Sequence, residues 1–407
     1  MKKLFIEDLD LKGKKVLIRV DFNVPLDKNG NITDDTRIRR ALPTIKYVLR
    51  HGGRAILISH LGRPGGERVE KLSLAPVAVR LSLLLGKDVK FIADCLGEKV
   101  AEAVSQMGKG DVILLENLRF YPGEKKGDEE FARLLADGYD LYIDDAFGTA
   151  HRGHASMVGV TRFIPRSAMG YLMEKELRYL GRALDNPRRP FLAILGGAKV
   201  SDKIQVIKSL LRRVDSLLIG GAMAYTFLRE KGIPVGASRI ETVIVDKKGK
   251  EIDVSRLVRE ILKQAETDQV PLLLPIDHLE ADRFSAEAAI RVVGESGIEP
   301  GWMGMDIGPE TAKLFSARIK EAGTVVWNGP MGVFELEPFA RGTRTIAQAL
   351  ANSSAISIIG GGDSAAAIRQ SGVADRITHI STGGGASLEF LEGKILPGVA
   401  ALTEVSG

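Results

Sequence analysis

The chain has 407 residues, 44% of them hydrophobic, with 57 Lys and Arg against 52 Asp and Glu. That length suits two α/β domains with buried cores, and no run of about 18 apolar residues is present to form a membrane-spanning helix. The single cysteine, Cys95, excludes an intrachain disulfide and a cysteine-built metal site.

The net charge of +5 is unevenly placed. Residues 1–170 hold 28 basic against 23 acidic side chains, and residues 171–407 hold 29 against 29. No block of like charge is interleaved with aromatics, so nucleic-acid binding is not expected, whereas a pocket for a small polyanion is. The N-terminus meets Glu7, Asp8 and Asp10 before any apolar signal region, and a cytoplasmic enzyme is expected.

Strand-like runs in the first part are residues 15–21 (KVLIRVD), 54–59 (RAILIS), 89–93, 111–116 (DVILLE) and 141–145 (LYIDD). They are continuously apolar rather than alternating, as in a parallel sheet covered on both faces. Amphipathic stretches at 37–50, 75–85 and 129–136 predict helices between them. Met169, Leu172, Met173, Leu177, Leu180 and Leu184 fall at helical spacing, which predicts a long helix over 166–184 with Ser167 as its cap. The stretch DNPRRP (185–190) ends it.

The second part carries five apolar runs that each end in glycine: 192–199 (LAILGGAK), 216–224 (SLLIGGAMA), 323–332 (GTVVWNGPMG), 355–364 (AISIIGGGDS) and 377–387 (ITHISTGGGAS), with a further run at 270–275. Glycine at a strand-to-helix turn lets backbone N–H groups approach an anion. The pattern predicts two doubly wound, Rossmann-like α/β domains with parallel sheets. The first spans 1–165, a linker helix 166–190, and the second 191–392.

Ligands bind at the carboxyl ends of strands in such sheets. The segments VDFNVP (20–25), SHLGRP (59–64), ENLRF (116–120) and TAHRGHAS (149–156) sit at such ends. They gather Arg37, Arg63, Arg119, Arg152, His60, His151 and His154 on one edge, where arginine forks suit carboxylate and phosphate oxygens. Asp21 and Asn23 are placed to take a hydroxyl. In the second part Lys199 and Lys203 are four residues apart, which predicts two ammonium groups on one helix face. GGGDSA (360–365) matches a dinucleotide fingerprint formally, but its next strand ends in Ser381 and Thr382 rather than in an acid. Asp363 is instead placed to hold a phosphate-bound Mg²⁺, with a helix N-cap as its rival role.

Together with LGGAKVSDK, WNGPMGVFE and STGGGASLEFLEGK, these motifs resemble the phosphoglycerate kinase family over essentially the whole chain, in order. The resemblance implies reversible transfer of the acyl phosphate of 1,3-bisphosphoglycerate to Mg·ADP, giving 3-phosphoglycerate and ATP in glycolysis. It implies two Rossmann-like domains joined by a long helix, direct in-line transfer after hinge closure, a monomer, and a C-terminal segment, about 393–407, that returns to the first domain. It implies an acid-substrate site of Asp21, Phe22, Asn23, Arg37, His60, Leu61, Gly62, Arg63, Arg119 and Arg152. It implies nucleotide contacts at Gly197, Lys199, Lys203, Gly221, Gly304, Asn328, Pro330, Glu335, Gly361, Gly362, Asp363 and Ser364. Arg37, Lys199 and the backbone of Gly383, Gly384 and Gly385 would hold the group in flight. The chain departs from the family's usual residues at Gly153, Ala222, Ser364 and Phe390, and Ala222 bears on nucleotide preference. The other readings of these residues are an NAD-dependent oxidoreductase, from GGGDSA, and a non-catalytic polyanion-binding protein, from the basic edge.

Overall fold

The structure is a computed structural model and describes residues 2–246 and 249–405. The chain divides into two compact units, Met1–Arg178 with Ile395–Gly407, and Tyr179–Lys394. Each is built on a six-stranded parallel sheet with helices between the strands, an α/β fold in both cases.

The first unit contains β1 (Lys15–Val20), α1 (Thr36–Arg50), β2 (Arg54–Ile58), α2 (Ala75–Leu85), β3 (Lys90–Ile92), α3 (Glu98–Ser105), β4 (Val112–Leu115), α4 (Pro122–Lys126), α5 (Glu129–Ala136), β5 (Leu141–Asp145) and β6 (Ser167–Met169). The strand order is β3-β4-β2-β1-β5-β6. Val16, Ile18 and Val20 share one core with Ile38, Ala41, Ile45 and Val48 of α1. Leu17 joins the opposite core with Ile56, Val100 and Leu135. Burial on both faces is why the strand is apolar throughout, and each such side chain contributes about 1.5–3 kcal/mol. The register pairs Arg19 with Ile58, Val20 with Asp145 and Leu57 with Leu114. Strands β1, β2, β4 and β5 therefore end at one level, and their loops open on one edge.

The segment after residue 394 completes this unit. The Lys3 ammonium is buried and donates to the carbonyls of Ala400 and Leu402, both at 2.8 Å, and to Glu404 Oε1 at 3.3 Å. Leu4 N donates to Thr403 O at 2.8 Å, and Thr403 N to Ser167 O at 3.0 Å. Residues 406 and 407 of the expected C-terminal segment lie outside the described residues.

Helix α6 (Tyr171–Asp185) carries the division between the units. The predicted helix over 166–184 with Ser167 as cap is corrected. Residues 167–169 form β6, with Ser167 paired to Tyr142 of β5. The Ser167 backbone is occupied on both sides by Thr403, since its N–H donates to Thr403 Oγ1 at 3.0 Å. The cap is Asp145, whose Oδ1 accepts from Leu172 N at 2.8 Å and Met173 N at 3.2 Å.

The second unit contains β7 (Phe191–Leu195), α7 (Ile204–Leu211), β8 (Ser216–Ile219), α8 (Met223–Glu230), β9 (Val243–Val245), β10 (Glu251–Asp253), α9 (Val254–Thr267), β11 (Leu272–Leu273), β12 (His278–Ala281), β13 (Ile290–Val293), β14 (Met303–Ile307), α10 (Pro309–Glu321), β15 (Thr324–Asn328), α11 (Arg341–Ala351), β16 (Ile356–Gly360), α12 (Gly362–Gln370), β17 (His379–Ile380) and α13 (Gly385–Leu391). Its main sheet runs β11-β8-β7-β15-β16-β17. Leu195 pairs with Ile219 and Asn328, and Asn328 pairs with Gly360. Four of the five glycine turns thus leave the sheet at the same height. The run at 270–275 shrinks to the two residues of β11, and the run at 377–381 to the two of β17. The hairpin β9–β10 and the antiparallel sheet β13-β12-β14 add to the parallel architecture.

Candidate active site

At the open edge of the first unit, Asp21 is buried and forms an ion pair with Arg37, the second residue of α1. Asn23 Oδ1 accepts from Gly62 N at 2.8 Å, and Arg119 Nη1 donates to Gly62 O at 2.7 Å. The loops after β1, β2 and β4 are thereby tied to one another. Beneath them Arg19, fully buried in β1, donates to Ser156 Oγ at 2.9 Å and lies 3.1 Å from His60 Nδ1. Ser156 is held in turn by Glu124, its Oγ donating at 2.7 Å and its N–H at 3.0 Å.

The electrostatics of this edge are those of clustered cations. Burial, then Arg19, Arg119 and Arg37, push the His60 imidazole well below the ordinary histidine range. It is neutral at pH 7, and Arg19, which can only donate, requires Nδ1 to accept. Burial, then Arg19, Arg119 and Arg152, lower His154 to about 3. His154 Nδ1 lies 3.7 Å from Glu124, but a neutral ring makes no ion pair there. His151 falls to about 4 through burial and Arg152. Arg119 is lowered to about 10 by burial and by Arg19, and remains charged.

The structure brings Asp21, Asn23, Arg37, His60, Arg119 and Arg152 together on this edge. Arg63 is exposed in the loop after β2. Phe22 and Leu61 lie deeper than most of the other expected contacts. Phe22 is fully buried, its N–H donating to Ser59 Oγ and its carbonyl accepting from Val24 N. Leu61 is buried with both backbone groups engaged by the Asn117 side chain. Both shape the loops. Arg19, Glu124 and Ser156 are the residues the sequence reading missed. An arginine inside the apolar run KVLIRVD was the available signal.

In the second unit the glycine turns enclose a cleft of about 450 Å³. Its lining includes Gly197, Lys199, Lys203, Asn328, Pro330, Gly361, Gly362, Asp363, Ser364, Gly384 and Gly385, and also Asp202, Arg239 and Leu388, which the sequence reading did not select. A larger hollow of about 730 Å³, between the 30–35 loop and α2, contains none of these residues. The wall of the cleft is close-packed backbone. Gly196 N donates to Asn328 O and Gly197 N to Pro330 O, both at 2.9 Å. A Cβ on Gly196 would lie 2.2 Å from Pro330 O, so only glycine fits. Asn328 is buried, and its amide nitrogen has no partner among the described residues. Burial lowers Lys203, against the opposing pull of Asp202 and Asp363.

Several expectations for this cleft are revised. Helix α7 begins at Ile204, so Lys199 and Lys203 do not share a helix face; Lys199 lies in the preceding bend and Lys203 at the cap. Asp363 is the second residue of α12 and not its N-cap, which is Gly361. The Gly383 N–H already donates to Ser381 Oγ at 3.0 Å, which leaves Gly384 and Gly385 on the cleft. Gly221, Gly304 and Glu335 lie outside its lining. Gly221 packs on the Gly197 backbone, Gly304 lies under the Tyr225 ring with its N–H on Ser238 Oγ, and Glu335 is exposed in the loop after β15.

A cationic edge on one α/β unit, and a glycine-walled cleft with lysines on another, are the parts that a phosphotransferase of small molecules needs. The phosphoglycerate kinase family model matches residues 6–394. The phosphoglycerate kinase of Gloeobacter violaceus is 56% identical over 407 residues, covering 99% of this chain and 100% of that one. That of Clostridium tetani is 54% identical, covering 99% and 98%. The solved phosphoglycerate kinase of Coxiella burnetii superposes with a TM-score of 0.87 at 42% identity, covering 98% of both chains. The chain belongs to the phosphoglycerate kinase family. It is a kinase of glycolysis that transfers phosphoryl reversibly between 1,3-bisphosphoglycerate and ADP, giving 3-phosphoglycerate and ATP. Nothing supports an oxidoreductase or a non-catalytic binding protein.

Proposed function

We propose that 3-phosphoglycerate is held on the basic edge of the first unit by Asp21, Asn23, Arg37, His60, Arg63, Arg119 and Arg152, and the nucleotide in the glycine cleft of the second. The observation that carries this reading is the alignment of strand ends in each sheet, which converges arginines at one edge and free backbone donors at the other. The acceptor in the ATP-consuming direction is a carboxylate, ionised at neutral pH, so no general base is needed. That agrees with histidines kept neutral by burial and neighbouring guanidinium groups. Catalysis is then positioning and charge stabilisation, with Arg37 and Lys199 holding the transferring phosphoryl group and Gly384 and Gly385 offering N–H groups.

Asp363 is exposed, borders the cleft, and among the described residues no group of three or more His, Cys, Asp or Glu could hold a metal alone. A single carboxylate fits Mg²⁺ that takes its remaining ligands from phosphate and water. Such an ion would neutralise charge on the nucleotide phosphates. A monomer in the cytoplasm, where glycolysis runs, belongs to the same proposal. So does in-line transfer once the two ligand-bearing units close about α6.

The test is Arg37→Ala in an ATP- and 3-phosphoglycerate-dependent assay coupled to a dehydrogenase. It is expected to lower kcat by about 10³, the scale of an arginine that stabilises a phosphoryl transition state. Turnover near that of the parent chain overturns the role.

A further inference from the structure

Arg239 borders the glycine cleft together with Lys199 and Lys203. The cleft's other ionised side chains are Asp202 and Asp363. Two lysines and two aspartates cancel, so Arg239 alone gives the cleft a net positive charge. A site for a nucleoside di- or triphosphate needs that excess.

Arg239 is exposed, and no hydrogen bond or ion pair occupies its guanidinium among the described residues. Other arginines of the same unit are committed to carboxylates: Arg256 to Glu260, Arg259 to Glu230, Arg291 to Glu280 and Glu299, Arg344 to Glu337. The backbone that carries Arg239 is fixed on both sides. Ala237 N donates to Trp302 O at 2.7 Å, and buried Ser238 Oγ accepts from Gly304 N at 2.9 Å. Beyond it, Glu241 accepts from Ser201 N at 2.9 Å and Ser201 Oγ at 3.0 Å, and its own N–H donates to Thr226 Oγ1 at 3.1 Å. Ser201 lies between Lys199 and Lys203. The strap that bears Arg239 is therefore pinned to the loop that bears the two lysines.

We infer that Arg239 is a nucleotide-binding residue of this chain, and that its guanidinium fork pairs with the polyphosphate of ADP and ATP. The inference rests on the reading of the cleft as the nucleotide site. An arginine fork gives two parallel charge-assisted hydrogen bonds to phosphate, where lysine gives a point charge.

Calorimetric titration of Arg239→Ala with ADP and with ATP tests this, beside Arg239→Lys and Lys203→Ala. Arg239→Ala is expected to weaken both nucleotides about tenfold, the scale of a lost charge-assisted contact, and to flatten their salt dependence. The KM for 3-phosphoglycerate and the affinity for adenosine, followed by NMR titration, stay unchanged. Arg239→Lys recovers part of the loss. Unchanged ADP and ATP affinity, with Lys203→Ala weakened, overturns the role of Arg239 and leaves the cleft as the nucleotide site. Adenosine weakened as much as ADP also overturns it, since the strap's shape would then be the cause. If Lys203→Ala and Arg239→Ala both bind ADP as the parent does, the cleft reading falls as well.

Discussion

Arg19 occupies a strand position that its neighbours fill with Val and Leu, and it is fully buried. A buried guanidinium persists only when paired and hydrogen-bonded. Here Ser156, the Val20 carbonyl and His60 take its donors, and Glu124 completes the network through Ser156. Its charge then acts upward, helping to keep His60 and His154 neutral beneath the basic edge. Asp144 shows the opposite case. Its Oδ1 accepts from Ala146 N at 3.0 Å, Oδ2 has no partner among the described residues, and burial pushes the carboxyl up to about 7. An unfolded Asp ionises near pH 4, so between about 4 and 7 the folded state binds more protons than the unfolded one. Its contribution to stability is greatest below pH 4, is lost as pH rises to 7, and is flat above. Asp145 and Asp306, also raised to about 7 by burial, act in the same direction. Asp144→Asn is expected to reduce the fall in stability from pH 5 to 7.5, by up to about 2.5 kcal/mol for the part of the shift that lies in that window. Urea titrations at the two pH values check it, and an unchanged difference refutes it. The sequence shows Arg37, Arg119 and Arg152 plainly, because basic residues after strand ends have few other places to go. Arg19 and Arg239 were not legible in this way. One looks like a strand's solvated edge residue, and the other sits in a loop without a motif.

At the scale of elements, α6 shows what spacing reveals and what it conceals. Leu172, Met173, Leu177, Leu180 and Leu184 keep their helical period because they lie within the helix. Met169 matches that period by coincidence, since three residues of β6 pair with β5 first. Strand pairing is a long-range choice that a local period does not contain. The same holds for β13-β12-β14, whose short strands carry no strong pattern of their own. The start of α6 depends on Asp145 at the end of β5 and on Thr44, whose Oγ1 accepts from Tyr171 N at 2.9 Å. Gly170 makes room for that cap, as a Cβ there would lie 2.3 Å from Asp145 Oδ1. Gly170→Ala is therefore expected to destabilise the first unit by about 1–3 kcal/mol, the usual cost of overpacking. A thermal midpoint equal to the parent's removes Asp145 as the helix's anchor.

For the whole molecule, the acid-binding and nucleotide-binding roles proposed above fall on different units, and transfer requires reacting atoms at about 3 Å. Closure around both ligands would also keep water from the phosphoryl group. Solution scattering with 3-phosphoglycerate and a non-transferable Mg·nucleotide is expected to give a smaller radius of gyration than either ligand alone. Equal radii in all three conditions count against closure. The paired α/β architecture was legible because eleven apolar runs alternate with amphipathic stretches. Where the units divide was not, since α6 is continuous across the boundary and only three-dimensional contacts mark it.

The return of the chain to its first unit has a consequence for biosynthesis. Residues 179–394 form one uninterrupted unit, while Lys3 finds its partners only at 400–404. Domains commonly fold in the order in which they leave the ribosome. In this chain the second unit is fully translated before Thr403 exists to bond Leu4 and Ser167. The half of the protein made first is thus the half finished last, and its N-terminal strand edge stays open for most of synthesis.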